Sequence, residues 1–122
     1  MARVARTELT TRQRVELDRA IRRAEQASRF EFSVFLGSLS DEPREQALRM
    51  HALMAAPTRS VLVAVDPQQR AVEVVTGADV RAEVADAKVR KVLKPVLKAL
   101  AEGDRSPALA QAVEAIAAQA RR

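Results

Sequence analysis

The sequence predicts a single three-layer α/β domain, a small mixed sheet of about three or four strands with helices on both faces. Three observations predict it: one short apolar run, a second run joined to it by a Pro-containing turn, and four amphipathic helical stretches around them. The first run, Ser60–Val65, places Val61, Val63 and Val65 on alternate positions and is too short for a helix, so it reads as a strand buried on both faces.

From the N-terminus, Thr10 and Gln13 form a capping-box pair, and Leu17, Ala20, Ile21 and Ala24 follow at helical spacing, which predicts a helix over residues 11–28. Phe30–Leu36, aromatic and β-branched and closed by Gly37, predicts the first strand. Ser40 or Asp41 can cap the next helix, with Pro43 in its first turn, Ala47, Leu48, His51, Met54 and Ala55 on one apolar face, and Pro57 at its end. A strand, a helix and a strand call for a right-handed crossover, so the first two strands are expected to be parallel. Asp66-Pro67-Gln68-Gln69 then makes a hairpin turn, in which Pro67 presets φ at about −65° and Asp66 accepts from the turn backbone. Arg70–Thr76 is therefore the third strand, antiparallel to the second.

Val89, Val92, Leu93, Val96, Leu97 and Leu100 give the next helical stripe. Pro95 has no N–H for the Lys91 carbonyl, so a kink or two short helices are expected. Glu102-Gly103-Asp104 stops this element. Ser106 caps the last helix, Pro107 opens it, and Leu109, Ala112, Val113, Ile116 and Ala117 face inward. Residues 1–9 are expected as a flexible N-terminal arm and residues 10–122 as the domain.

A chain of 122 residues buries roughly two-thirds of its unfolded surface without metal or disulfide staples. It contains no Cys, which excludes a disulfide framework, a thiolate zinc site and a Cys nucleophile. No apolar stretch is long enough for a signal peptide or a membrane span, so a soluble, cytoplasmic protein is expected. The net charge of +5 is uneven: residues 1–30 hold eight Arg against four acids, and residues 66–86 hold five acids against two Arg.

From Thr10 onward the chain resembles the TPM domain of thylakoid acid-phosphatase-type and bacterial envelope proteins, and looks like the small soluble actinobacterial relatives of that domain. Family members carry Gly-x-Gly-Leu-Glu after the third strand, with an Asp five residues beyond the Glu. Here Gly77, Val80 and Asp86 match, and Asp79 and Arg81 stand at the second Gly and the Glu. Pro95, Gly103 and Asp104 match at the family spacings, whereas Arg59-Ser60 replaces an Asn-Gly and Arg105 an aromatic residue. The resemblance implies the α/β fold, and with it the family's phosphatase activity and calcium binding.

Asp79, Glu83, Asp86 and Asp104 carry the oxygen donors that a hard cation needs. In the runner-up reading, Asp79, Asp86 and Asp104 hold Ca²⁺ or Mg²⁺ and Arg59 or Arg81 steers a phosphate ester in a metal-dependent acid phosphatase. The hairpin brings Arg59, Gly77, Asp79 and Arg81 to one sheet edge, where two fixed positive charges favour an anion instead. The same residues also read as helix caps, surface pairs and turn closures. Lys88, Arg90, Lys91, Lys94 and Lys98 make a basic helix face, suited to anionic surfaces or nucleic acid but without aromatic partners for stacking bases.

His51, the single histidine, sits on an apolar helix face, and no nucleophilic Ser is placed beside it. Ser38, Ser40, Asp41 and Asp66 lie where ligands of open α/β sheets often bind, yet capping and turn roles account for them, and Gly37 lacks the glycines of a phosphate loop. No firm cofactor follows. The leading expectation is a non-catalytic interaction or regulatory module whose partner is another protein, with nucleic acid a third reading.

Overall fold

The computed structural model describes residues 3–5, 9–101 and 105–120. Its elements in chain order are β1 (Arg3–Ala5), α1 (Thr11–Ser28), β2 (Glu31–Leu36), α2 (Pro43–Ala52), the 3₁₀ turn η1 (Pro57–Arg59), β3 (Ser60–Asp66), β4 (Ala71–Thr76), α3 (Ala78–Glu83), α4 (Asp86–Ala101) and α5 (Arg105–Gln119). The sheet order is β1-β2-β3-β4, with β1, β2 and β3 parallel and β4 antiparallel to β3. The expected three-layer α/β architecture is the one observed.

The layers follow from strand alternation. Phe32, Val34 and Leu36 of β2 and Val61, Val63 and Val65 of β3 point to one face, where α1, α3, α4 and α5 cover them with Leu17, Ile21, Val80, Leu93, Leu109 and Ile116. Leu62, Ala64 and Val75 point to the other face, covered by Ala47 of α2 and Leu39. Every residue of β3 is buried, as its unbroken apolar run requires. The strands are laid down in one direction while α1 and α2 cover opposite faces. The two crossovers therefore have opposite hands, and one departs from the usual right-handed rule.

Local chemistry sets the element ends. At the start of α1 the Thr10 N–H donates to Gln13 Oε1 at 2.9 Å and the Gln13 N–H to Thr10 Oγ1 at 3.1 Å, a complete capping box. Thr10→Ala is expected to cost about 1 kcal/mol, read as a lower urea midpoint at unchanged slope. The helix ends at Arg29 in the left-handed region, φ 68°. There the Ser28 hydroxyl bonds the Ala24 carbonyl, and Glu25 accepts from the Phe32 N–H, turning the chain into β2.

Several sequence expectations are corrected. Within residues 1–9, expected as an arm, Arg3–Ala5 pairs with Ser33–Phe35 of β2, so the sheet gains a fourth strand from a segment too short to carry a period. Leu48 and Ala55 are exposed, because the buried stripe of α2 runs through Ala47 and His51, with Met50 and Met54 half-buried beside them. The N-cap of α2 is Glu42 without a side-chain bond, and Ser40 Oγ instead accepts from the Glu42 N–H. Helix α4 continues through Pro95 as one element. Pro95 and Lys91 are both exposed, so water can solvate the carbonyl that Pro95 leaves unpaired. Helix α5 starts at Arg105, before Ser106, so Pro107 falls within the first turn, where the backbone N–H has no intrahelical partner to lose.

Candidate functional site

The edge predicted to gather Arg59, Gly77, Asp79 and Arg81 is built by a close backbone approach. The Gly77 N–H donates to the Ser60 carbonyl at 2.9 Å, extending the β3–β4 ladder by one bond, and η1 packs directly over it. A Cβ on Gly77 would lie 2.0 Å from the Pro57 carbonyl oxygen and 2.3 Å from that of Thr58. The Ser60 carbonyl also accepts from His51 Nε2 at 2.9 Å, which fixes the proton on that nitrogen. His51 is buried and structural, as its apolar helix face suggested.

Both arginines of this edge are engaged with backbone. Arg59 Nη2 donates to the Arg29 carbonyl at the C-terminus of α1, and Arg81 Nη1 donates to the Thr76 carbonyl at the end of β4. Asp79 and Arg59 border one hollow of about 700 Å³, together with Arg29 and Glu83. Asp86, at the first turn of α4, accepts from the Thr76 hydroxyl at 3.3 Å and borders a different hollow. Asp79 and Asp86 are thus placed in separate hollows, and Asp104 lies outside the described residues. Among the described residues no group of three or more His, Asp or Glu is placed to hold a metal ion.

The second hollow is a groove of about 500 Å³ between β4 and α4. Its floor is apolar: Val72 and Val74 from the strand, and Val89, Leu93 and Leu97 from the helix. Arg44, Arg90 and Lys94 stand along its rim, with Glu73 and Asp86 the carboxylates beside them. Glu73 is paired with Arg44 at 3.5 Å. The basic set Lys88, Arg90, Lys91, Lys94 and Lys98 is exposed along α4, as predicted, and within the described residues none of the five takes part in an ion pair. Sequence reasoning did not single out Arg44, which reaches from α2 past the sheet edge and donates from Nη1 to the Val74 carbonyl at 2.8 Å. Nothing in a sequence pattern marks a contact across 30 positions made by one flexible side chain.

At the opposite end of β3, Asp66 is buried and accepts four bonds: from the Leu39 N–H (2.8 Å), the Gln68 N–H (3.0 Å), the Gln69 N–H (3.4 Å) and Gln69 Nε2 (2.8 Å). The Leu39 N–H foremost, then the Gln69 side chain, holds this carboxyl below the usual range of an aspartate, against the opposing effect of burial. Gln69 also donates to the carbonyls of Leu39 and Ser40, so this cluster is a structural clamp between the hairpin and the β2–α2 loop. Among the described residues no helix is long and apolar enough to cross a membrane.

Comparison with known proteins places the fold and the lineage. The chain is similar to the N-terminal domain of a protein from P. gingivalis (TM-score 0.80, 17% identity, covering 97% of this chain and 80% of that one). It is also similar to the BA42 protein of Bizionia argentinensis (TM-score 0.77, 18% identity, 93% and 82%). At these identities the likeness is one of fold. In sequence, the chain is 29% identical over 104 residues to the uncharacterized proteins MT2543 and Rv2468c of two Mycobacterium tuberculosis strains, covering 85% of this chain. It spans 62% of the length of those curated relatives. A family model matches residues 3–117, almost the whole sequence, and the chain belongs to that family, described as a domain of unknown function, DUF5130.

Proposed function

We propose that this domain is a non-catalytic protein-interaction module on a TPM-like scaffold. The observation that carries the reading is where the polar groups are spent. Arg59 and Arg81 bond backbone carbonyls, Asp86 takes the Thr76 hydroxyl, His51 takes the Ser60 carbonyl, and Asp66 is saturated by four donors. Such groups build the fold, whereas phosphoryl transfer needs charges converging on the reacting group. Among the described residues, the apolar groove and the cations of α4 have no such part in building the fold.

The test is a thermal-shift titration with calcium, magnesium and phosphate on the wild type and Asp86→Ala, with p-nitrophenyl phosphate turnover measured alongside. A site filled at about a hundred times its Kd adds about 2.7 kcal/mol, roughly 10 °C for a domain of this size. The expected result is no saturable shift and no turnover above background. A metal-dependent rise lost in Asp86→Ala, together with turnover lost in the same variant, overturns this reading in favour of the phosphatase.

A further inference from the structure

We infer that the groove between β4 and α4 binds an extended, acidic segment of another protein, added as a fifth strand to the edge of β4; this rests on the interaction-module reading and names its site and partner chemistry. β4 ends the sheet order, so among the described residues no strand pairs with its outer side. The register decides which groups face that side. Gly77 bonds Ser60, so Val75, Glu73 and Ala71 are the residues whose backbone faces β3, and Val72, Val74 and Thr76 turn their N–H and carbonyl groups outward. Two of these carbonyls are held by arginines, Val74 by Arg44 and Thr76 by Arg81. The N–H groups of Val72 and Val74, both half-buried, face outward as a row of donors, which is the feature an incoming strand exploits, and Thr76 beyond them is buried.

The helix beside the edge fits such a strand. Asp86 meets Thr76 at one end of the groove, and Leu97 and Val72 share it, so α4 runs alongside β4. Six strand residues span about 20 Å and the eleven-residue step from Asp86 to Leu97 about 17 Å, room for five or six extended residues. Alternate side chains of the incoming strand would lie over Val72, Val74 and Leu97, the last 40% exposed.

Charge selects the occupant. Arg90 and Lys94 have no ion-pair partner among the described residues, and Lys88, Lys91 and Lys98 extend the positive potential along the same helix. Arg44, on a long exposed side chain, would exchange the Val74 carbonyl for a carboxylate of the partner. A second copy of the chain pairing through β4 would instead bring the same cations against one another. The apolar floor has no role in binding phosphates, so an acidic peptide that also carries apolar side chains fits better than nucleic acid.

The experiment uses the full chain, ¹⁵N-labelled, and the peptide fluorescein-Glu-Val-Val-Glu-Val-Glu-amide, which puts a carboxylate and a valine on each face of an extended strand. The comparison probes are the peptide with Lys at each Glu position, and hexaglutamate. The expected result is saturable binding of the first peptide alone, with slowed hydrogen exchange at the amides of Val72 and Val74. Arg90→Glu combined with Lys94→Glu, both exposed, should weaken it at least about tenfold at unchanged Tm, and Leu97→Gln should weaken it without altering its salt dependence. Equal binding of hexaglutamate without protection of β4 overturns the proposal in favour of a charge-only surface. Protection of β4 that rises with protein concentration in the absence of peptide overturns it in favour of self-association. No binding of any probe removes the β4 site and leaves the interaction-module reading standing, because that reading is decided by the metal and turnover measurements.

Discussion

Gly77→Ala should lower the melting temperature by about 10 °C or more, a loss of about 3 kcal/mol or more. Gly77 has φ −76° and ψ 168°, ordinary extended backbone that any residue adopts, so conformational freedom is not the reason for a glycine here. The reason is space. A methyl group would sit 2.0 Å from the Pro57 carbonyl oxygen and 2.4 Å from the Thr58 carbonyl carbon, both main-chain atoms with no rotamer to retreat into. Relief requires η1 to lift away from the sheet, weakening the Gly77 bond to the Ser60 carbonyl on which His51 also depends. Gly77 further sets the exit from β4 into α3 and α4, so the groove should widen with the same substitution. Thermal unfolding monitored by circular dichroism reads the effect, and a Tm within about 2 °C of wild type would show that η1 yields freely.

Most of the fold was legible because its signals are local. Thr10 and Gln13 announce the start of α1, the apolar run announces β3, and Asp66-Pro67 announces the hairpin, each from chemistry within a few residues. The illegible parts depend on partners far along the chain. β1 has three residues and exists because β2 offers it an edge. The continuity of α4 through Pro95 depends on that residue facing water, which the apolar stripe alone does not decide. The candidate site was legible in part: the hairpin did bring Arg59 and Asp79 to one hollow, and the exposed cations of α4 were found. That Arg59 and Arg81 spend their donors on carbonyls, and that Arg44 crosses the sheet edge, are tertiary facts with no local signature. Function was the least legible level, because the groove is made by two segments whose residues each look like ordinary core or surface.

Asp66→Ala should cost about 2–4 kcal/mol, since it leaves the buried Leu39 N–H without an acceptor and frees Gln69 from the clamp. Asp66→Asn should cost nearly as much. All four groups around the carboxylate are donors, so whichever way an asparagine amide is turned, its NH₂ faces an N–H. Protonating the native carboxyl has a similar effect, which fixes the pH dependence. The folded-state pKa is depressed, so the unfolded chain binds the proton more readily than the folded one, and the stabilisation is fully present above the unfolded value of about 3.9. It is lost as pH falls through the folded value. The stability gap between wild type and Asp66→Asn should therefore be flat from about pH 5 upward and shrink below about pH 4 in urea titrations at several pH values. A gap that stayed constant into that acid range would mean the four donors hold the side chain by shape and not by its charge. A gap that widened would reverse the sign and place the loss elsewhere. Because Asp66 stands at the end of the sheet away from Gly77, the double variant should lose close to the sum of the two single losses, provided the domain remains folded enough to measure.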